Sequence, residues 1–260
     1  MSTVRLDLEY DGTDFRGWQV QPGERTVQGC LEDALHEILG DRVRVTGAGR
    51  TDTGVHALGQ VASFRHDSLP PEPQLLRRLN IGTPRDVRVT ALRVVEDGFS
   101  ARHSARARRY RYQMLRHRSA LWTRYYHELR TPVEVDRMHQ AAQVFLGEQD
   151  FAAFAHVDRD ANSRCLVSRV AVQGDEARVW FEITANRFLH NMVRRLSGAL
   201  IEVGRGRLRP PDLRDILRNG DSSRGGPCLP PQGLFFVAVE YGPVAMRPGD
   251  GAVDVPLARP

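Results

Sequence analysis

The chain contains no lysine, and all 37 of its basic residues are arginine. A phosphate loop of the Walker type needs a lysine and Schiff-base catalysis needs a side-chain amine, so both are excluded. Replacement of one basic residue by the other throughout reads as codon bias, so abundant arginine by itself says little about function. Cysteine is also scarce. Cys30, Cys165 and Cys228 stand far apart, with no C-x-x-C pair and no H-E-x-x-H, which leaves neither a disulfide framework nor a recognisable zinc site. They read as thiols acting as small hydrophobes. Apolar runs of membrane-spanning length are missing too. The opening residues, MSTVRLDLEY, alternate and lack the charged-then-apolar order of a signal peptide. The expected address is the cytoplasm, with no membrane partner.

What remains is the composition of a globular protein: 260 residues, 41% hydrophobic and 27% charged, with net charge +5. Val4, Leu6, Leu8 and Tyr10 alternate with charged residues, as in a half-buried strand. Val27, Leu31, Leu35 and Ile38 share one helical face, with Thr26 placed to cap it and Gly40 to stop it. Further strands are predicted at 42–46, 59–64 and 87–95, and a short helix after the Pro-rich stretch beginning at Pro70. In ARARRYRYQML (105–115), Arg106, Arg108, Tyr110, Tyr112 and Met114 fall on one strand face. A helix over VEVDRMHQAAQVFLG follows, with Met138, Ala142 and Phe145 on its inner face. Next comes a hairpin of Cys165–Gln173 and Ala177–Ala185 turning at Gly174-Asp175. Phe188, Met192, Leu196, Leu200 and Val203 mark a longer helix ending at Gly204, before a short helix from Pro211 and a strand at 234–241.

Strand–helix–strand units occur on both sides of residue 105. The reading is an α+β protein of two related α/β halves, 1–105 and 106–242, with mixed or antiparallel sheets flanking a central basic cleft. Residues 243–260, rich in Pro and Gly, are expected to form a disordered tail.

GAGRTDTGVHA (47–57) is the most informative segment. A dinucleotide fingerprint would put a third glycine where Asp52 stands, and a carboxylate there would repel a pyrophosphate. The segment instead presents one carboxylate between Gly49 and Gly54, with Arg50 two residues before it. The plain alternative is an Asp that hydrogen-bonds its own loop.

GRTDTGVHA resembles the active-site motif of the TruA family of tRNA pseudouridine synthases. YDGTDFRGWQVQ (10–21), TVQGCLEDAL (26–35), FSARHSARARRYRY (99–112) and NRFLHNMVRRLSGALIEVG (186–204) resemble its other motifs, in order, over about residues 4–241. The likeness departs at Thr53, where Ala is expected, and in the proline-rich GGPCLPPQGLFF (225–236).

The resemblance implies a pseudouridine synthase fold and isomerisation of uridine in tRNA at positions 38, 39 and 40 of the anticodon stem-loop. Asp52 would be the catalytic residue, and a homodimer would bind the tRNA. No cofactor and no metal are implied, because the rearrangement adds and removes nothing. Arg194 would be the cation that keeps Asp52 ionised, through two parallel hydrogen bonds. Without the resemblance it is an exposed helix arginine beside Arg195. Tyr110 would stack on the target uracil and serve proton transfer at C5, although period-2 geometry puts Tyr112 on the same face and does not separate the two. Arg50 would point into the space vacated by a flipped nucleotide. His56 and His190 read as structural. Arg106, Arg108, Arg109 and Arg111, interleaved with the tyrosines, are the candidate contacts to the RNA backbone; a solvated strand face is the alternative. A non-catalytic RNA-binding relative is the rival reading, but binding alone has no use for a carboxylate among phosphates.

Overall fold

The computed structural model describes residues 1–157 and 162–242; the expected tail at 243–260 lies outside the described residues. The first half runs β1 (Ser2–Tyr10), α1 (Val27–Leu39), β2 (Thr46–Gly47), β3 (His56–His66), α2 (Glu72–Gly82) and β4 (Val87–Val95). The second runs β5 (Ala107–Leu115), β6 (His127–Glu128), α3 (Val135–Ala142), β7 (Gly147–Asp150), β8 (Arg164–Gly174), β9 (Arg178–Ala185), α4 (Met192–Gly204), α5 (Pro210–Asn219) and β10 (Leu234–Glu240). Their sheets join into one, in the order β4-β1-β3-β10-β5-β9-β8-β7, with β2 on β3 and β6 on β5. Neighbours are antiparallel except at β10–β3 and β5–β6. β10, last of the described strands in the chain, returns to the middle of the sheet and bridges the halves.

The alternation in β1 buries Val4, Leu6 and Leu8 completely, in one core with Val27, Leu31 and Leu35 of α1 and Leu79 of α2. In the second half Tyr112 and Met114 of β5 share that core with Met138 of α3 and Leu196 and Leu200 of α4. Each fully buried aliphatic side chain contributes roughly 1.5–3 kcal/mol before chain entropy is counted. α1 starts and stops as its sequence predicts. The Thr26 hydroxyl accepts from the Gly29 N–H at 3.2 Å, and Gly40 closes the helix in the left-handed region.

Three elements differ from expectation. The strand expected at 42–46 shrinks to Thr46–Gly47 because side chains take the backbone groups a ladder would use. The Glu32 carboxylate accepts from the Val45 N–H, and Gln28 donates to the Val45 carbonyl. The helix expected over 133–147 ends at Ala142 and continues as a single 3-10 turn, Gln143–Phe145. The helix expected from Phe188 begins only at Met192. Asn191, with φ 63°, is the one described non-glycine residue in the left-handed region, and it breaks the helical path there. Phe188, Leu189 and His190 therefore form a separate lead-in segment.

Candidate active site

The loop between β2 and β3 carries Asp52, and almost every group around it serves to hold it. The first loop of the chain forms its bed: the Trp18 N–H donates to the Thr51 carbonyl at 3.0 Å and the Gly54 N–H to the Phe15 carbonyl at 3.3 Å. Phe15 and Trp18 are themselves buried, which explains the aromatic residues in an otherwise polar stretch. From below, the Tyr10 hydroxyl bonds the Thr51 hydroxyl at 2.8 Å, and Gln60 donates to the Gly49 carbonyl at 2.8 Å. Burial pushes the Tyr10 hydroxyl up to about 12, so it stays protonated. Gly54 turns with φ +77°, and a β-carbon there would also press against Pro231.

Asp52 itself stays 32% exposed, with a cationic or titratable group beside each oxygen. Arg194 Nη1 lies 3.8 Å from Oδ2, and His190 Nε2 lies 3.8 Å from Oδ1. The expected bidentate Arg194–Asp52 pair is absent. The guanidinium is aimed by other acceptors: Nε donates to the Leu229 carbonyl at 2.6 Å and Nη1 to Asn191 Oδ1 at 2.7 Å. Its charge faces the carboxylate without closing on it, leaving both oxygens free for a substrate. The proline-rich segment 225–233 supplies that Leu229 carbonyl and packs Pro231 on Gly54, so it is a wall of the site.

The two tyrosines separate clearly. Tyr110 points under the loop, its hydroxyl donating to the Arg50 carbonyl at 3.4 Å, while its ring sits edge-on against Phe188 and Phe236. Burial first, then the nearby Tyr10 and Asp52, push its hydroxyl far above the ordinary tyrosine value. Tyr112 instead donates to the Pro230 carbonyl at 2.8 Å and braces the proline-rich wall.

The sequence that builds this loop matches a known protein family. The sequence model described as tRNA pseudouridine synthase matches residues 8–104 and 141–242. The chain is 38% identical over 246 residues to tRNA pseudouridine synthase A of Caldicellulosiruptor saccharolyticus, covering 93% of this chain and 100% of that one. It is 44% identical over 274 residues to tRNA pseudouridine synthase A of Solidesulfovibrio magneticus, covering 96% of each. The namesake in Myxococcus xanthus is 42% identical over 256 residues, again covering 96% of each. The chain belongs to the tRNA pseudouridine synthase family. Members of the family are isomerases that act on uridine in tRNA. Among the described residues, no helix is long and apolar enough to cross a membrane.

Within this pseudouridine synthase, Asp52, Arg50, His190 and Arg194 fall in the matched segments, and Tyr110 lies between them. Thr53 is exposed. The arginines of β5 differ in burial, because β5 is central in the sheet, between β10 and β9. Arg111 is 6% exposed and pairs with Glu182 at 2.8 Å across β9. Arg108 donates to the carbonyls of Ala48, Arg102, Ala105 and Asn186, which makes it a clamp on the base of the loop that carries Asp52. Arg109 is half-buried, and Arg106 is exposed. Arg50 is exposed beside Asp52.

The histidines also separate. His56 is 1% exposed, stacks on Phe235 and donates Nε2–H to the Arg124 carbonyl at 2.8 Å, as a structural residue should. His190 is 55% exposed on its side chain and faces Asp52. Its sequence signal was the F-L-H-N segment itself, read as helix interior until Asn191 turns the chain.

Proposed function

We propose that this chain converts uridine to pseudouridine at positions 38, 39 and 40 of the tRNA anticodon stem-loop, with Asp52 as its catalytic carboxylate. The carrying observation is the Asp52 carboxylate: 32% exposed, on a loop whose backbone is bonded to Phe15, Trp18 and Gln60, and faced by Arg194 at 3.8 Å. The reaction breaks the N1–C1′ bond, turns the uracil and rejoins it through C5. Every route to that outcome employs an ionised carboxylate, as nucleophile at C1′ or C6 or as base at C2′. Arg194 favours the ionised form by its charge.

The Tyr110 and Phe188 rings provide an apolar edge for the uracil, and the protonated Tyr110 hydroxyl remains a donor. Arg50, exposed next to Asp52, is suited to fill the gap in the stack when the nucleotide flips out. Exposed Arg106, with half-buried Arg109 behind it, suits the RNA backbone; Arg108 and Arg111 act by holding the strand and the loop in place. The reading extends to a homodimer in the cytoplasm, as for the family to which the motifs belong. An unmodified tRNA transcript incubated with the protein and mapped for pseudouridine tests this directly. Modification confined to 38–40 is the expected result, and modification only elsewhere would overturn the assignment of position.

A further inference from the structure

An asparagine that opens a helix ordinarily turns its side-chain oxygen onto the backbone N–H groups of the first turn. Asn191 stands at that position in α4 and makes no such capping bond. It also holds φ 63°, in the left-handed region that residues other than glycine seldom enter. Its carbonyl accepts from the Arg195 N–H at 3.0 Å and so starts the helix. Its side chain instead accepts from Arg194 Nη1 at 2.7 Å. A guanidinium has only donors, so the accepting atom is Oδ1 and the orientation of the amide follows. Two local preferences are given up at one residue, and what both serve is the direction of one guanidinium.

We propose that Asn191 is a positioning residue whose amide keeps the Arg194–Asp52 pair open, an inference that rests on Asp52 being the reacting carboxylate. Nη1 is the nitrogen that comes to 3.8 Å from Asp52 Oδ2, and it is the same nitrogen that Asn191 engages. Nε is engaged by the Leu229 carbonyl at 2.6 Å. These two bonds fix the plane and the reach of the guanidinium. Without them, an arginine this near a carboxylate would close into direct hydrogen bonds of about 2.7–2.9 Å, often as a bidentate pair. The closed pair would put N–H groups on the lone pairs with which Asp52 must attack or take a proton. Held at its observed distance, Arg194 still favours the ionised carboxylate through its charge, while its directional hydrogen bond goes to a neutral amide.

The two requirements together set the residue type. A left-handed turn admits glycine, asparagine or aspartate at least cost. Glycine has no acceptor. Aspartate would accept from Nη1, but it would bring a second negative charge to the guanidinium and weaken the effect of that cation on Asp52. Asparagine supplies both the turn and a neutral acceptor. The residue before the turn is itself tied down, because the His156 N–H donates to the His190 carbonyl at 2.9 Å as an isolated antiparallel bridge.

The test compares Asn191→Gly, which keeps the turn and loses the acceptor, with Asn191→Asp, which keeps both and adds charge. Each is measured for melting, tRNA binding and single-turnover tritium release from tRNA labelled at uridine C5, and its crystal structure is solved. Asn191→Gly should melt and bind tRNA as wild type does, yet turn over about 10- to 100-fold more slowly at saturating enzyme. Its guanidinium should lie within about 3 Å of an Asp52 oxygen. Asn191→Asp should hold Arg194 off Asp52 and turn over faster than Asn191→Gly. A residue needed only for the turn predicts a wild-type rate in Asn191→Gly, since glycine adopts that conformation freely, and this result would overturn the proposal. So would a slow Asn191→Gly whose Arg194 has not moved, or an Asn191→Asp slower than Asn191→Gly. Failure of wild type to release tritium from any tRNA would instead remove the isomerase reading, while closure of Arg194 on Asp52 in Asn191→Gly would still stand or fall by itself.

Discussion

At Asp11 the loop after β1 is tied to the segment that precedes β6. Oδ1 accepts from the Thr13 N–H at 3.0 Å and from the Thr13 hydroxyl, and lies 3.1 Å from His56 Nδ1; Oδ2 accepts from the Tyr125 hydroxyl at 2.7 Å. Burial raises this carboxyl's pKa, but His56, Thr13 and Tyr125 outweigh it and hold the group well below the usual carboxylate range. The folded pKa is depressed, so the contribution to stability is complete above the unfolded value, about 4, and is lost as pH falls towards the folded one. Asp11→Asn should therefore cost about 1–3 kcal/mol near neutral pH, with the gap to wild type narrowing steadily below about pH 4. Urea melts across that range check it, and a gap independent of pH would contradict it. Residue positions were legible in the sequence where a motif named them, as for Asp52 and Arg194, which the fold brings within 3.8 Å. They were not where burial decides: nothing in R-A-R-R-Y-R-Y distinguishes Arg111, paired inside the sheet, from exposed Arg106 just before β5. Nor did F-L-H-N reveal that His190 leaves the helix.

α4 and the proline-rich segment behind it form the unit that aims Arg194. Gly198, in the middle of α4, lies against the Pro227 carbonyl, and a β-carbon there would run into that backbone oxygen. Helix propensity alone would favour Ala at this position by about 1 kcal/mol. Overpacking costs about 1–3 kcal/mol, and here the obstacle is backbone, so it should win. Gly198→Ala should lower the melting temperature, displace the Leu229 carbonyl from Arg194 and reduce turnover further than the stability loss explains. A variant more stable than wild type with unchanged turnover would refute this packing. Most elements were legible from periodicity and caps, as α1 illustrates. The exceptions have local causes. Side chains of Glu32 and Gln28 replace the ladder at Val45, and β7 is the polar G-E-Q-D, whose pairing with β8 leaves no apolar alternation to read.

At the scale of the molecule, two half-sheets become one because β10 pairs parallel with β3 and antiparallel with β5. The sequence predicts the strand at 234–241 but contains no signal for where it inserts, since that is fixed by pairing across more than a hundred residues. The insertion matters for chemistry. Phe236 of β10 packs on Tyr110, and the proline-rich wall leads directly into that strand, so loop, tyrosine and arginine converge at the seam between the halves. A seam of this kind serves catalysis if Asp52 reacts, and mere binding if it does not. Asp52→Asn decides between them, because Asn keeps the shape and many hydrogen bonds but is neither a competent nucleophile nor a base. The variant should melt like wild type and bind tRNA within about tenfold, or 1.4 kcal/mol. It should release no tritium from tRNA labelled at uridine C5 under conditions where wild type releases it to completion. Appreciable tritium release by a well-folded Asp52→Asn protein would contradict the account.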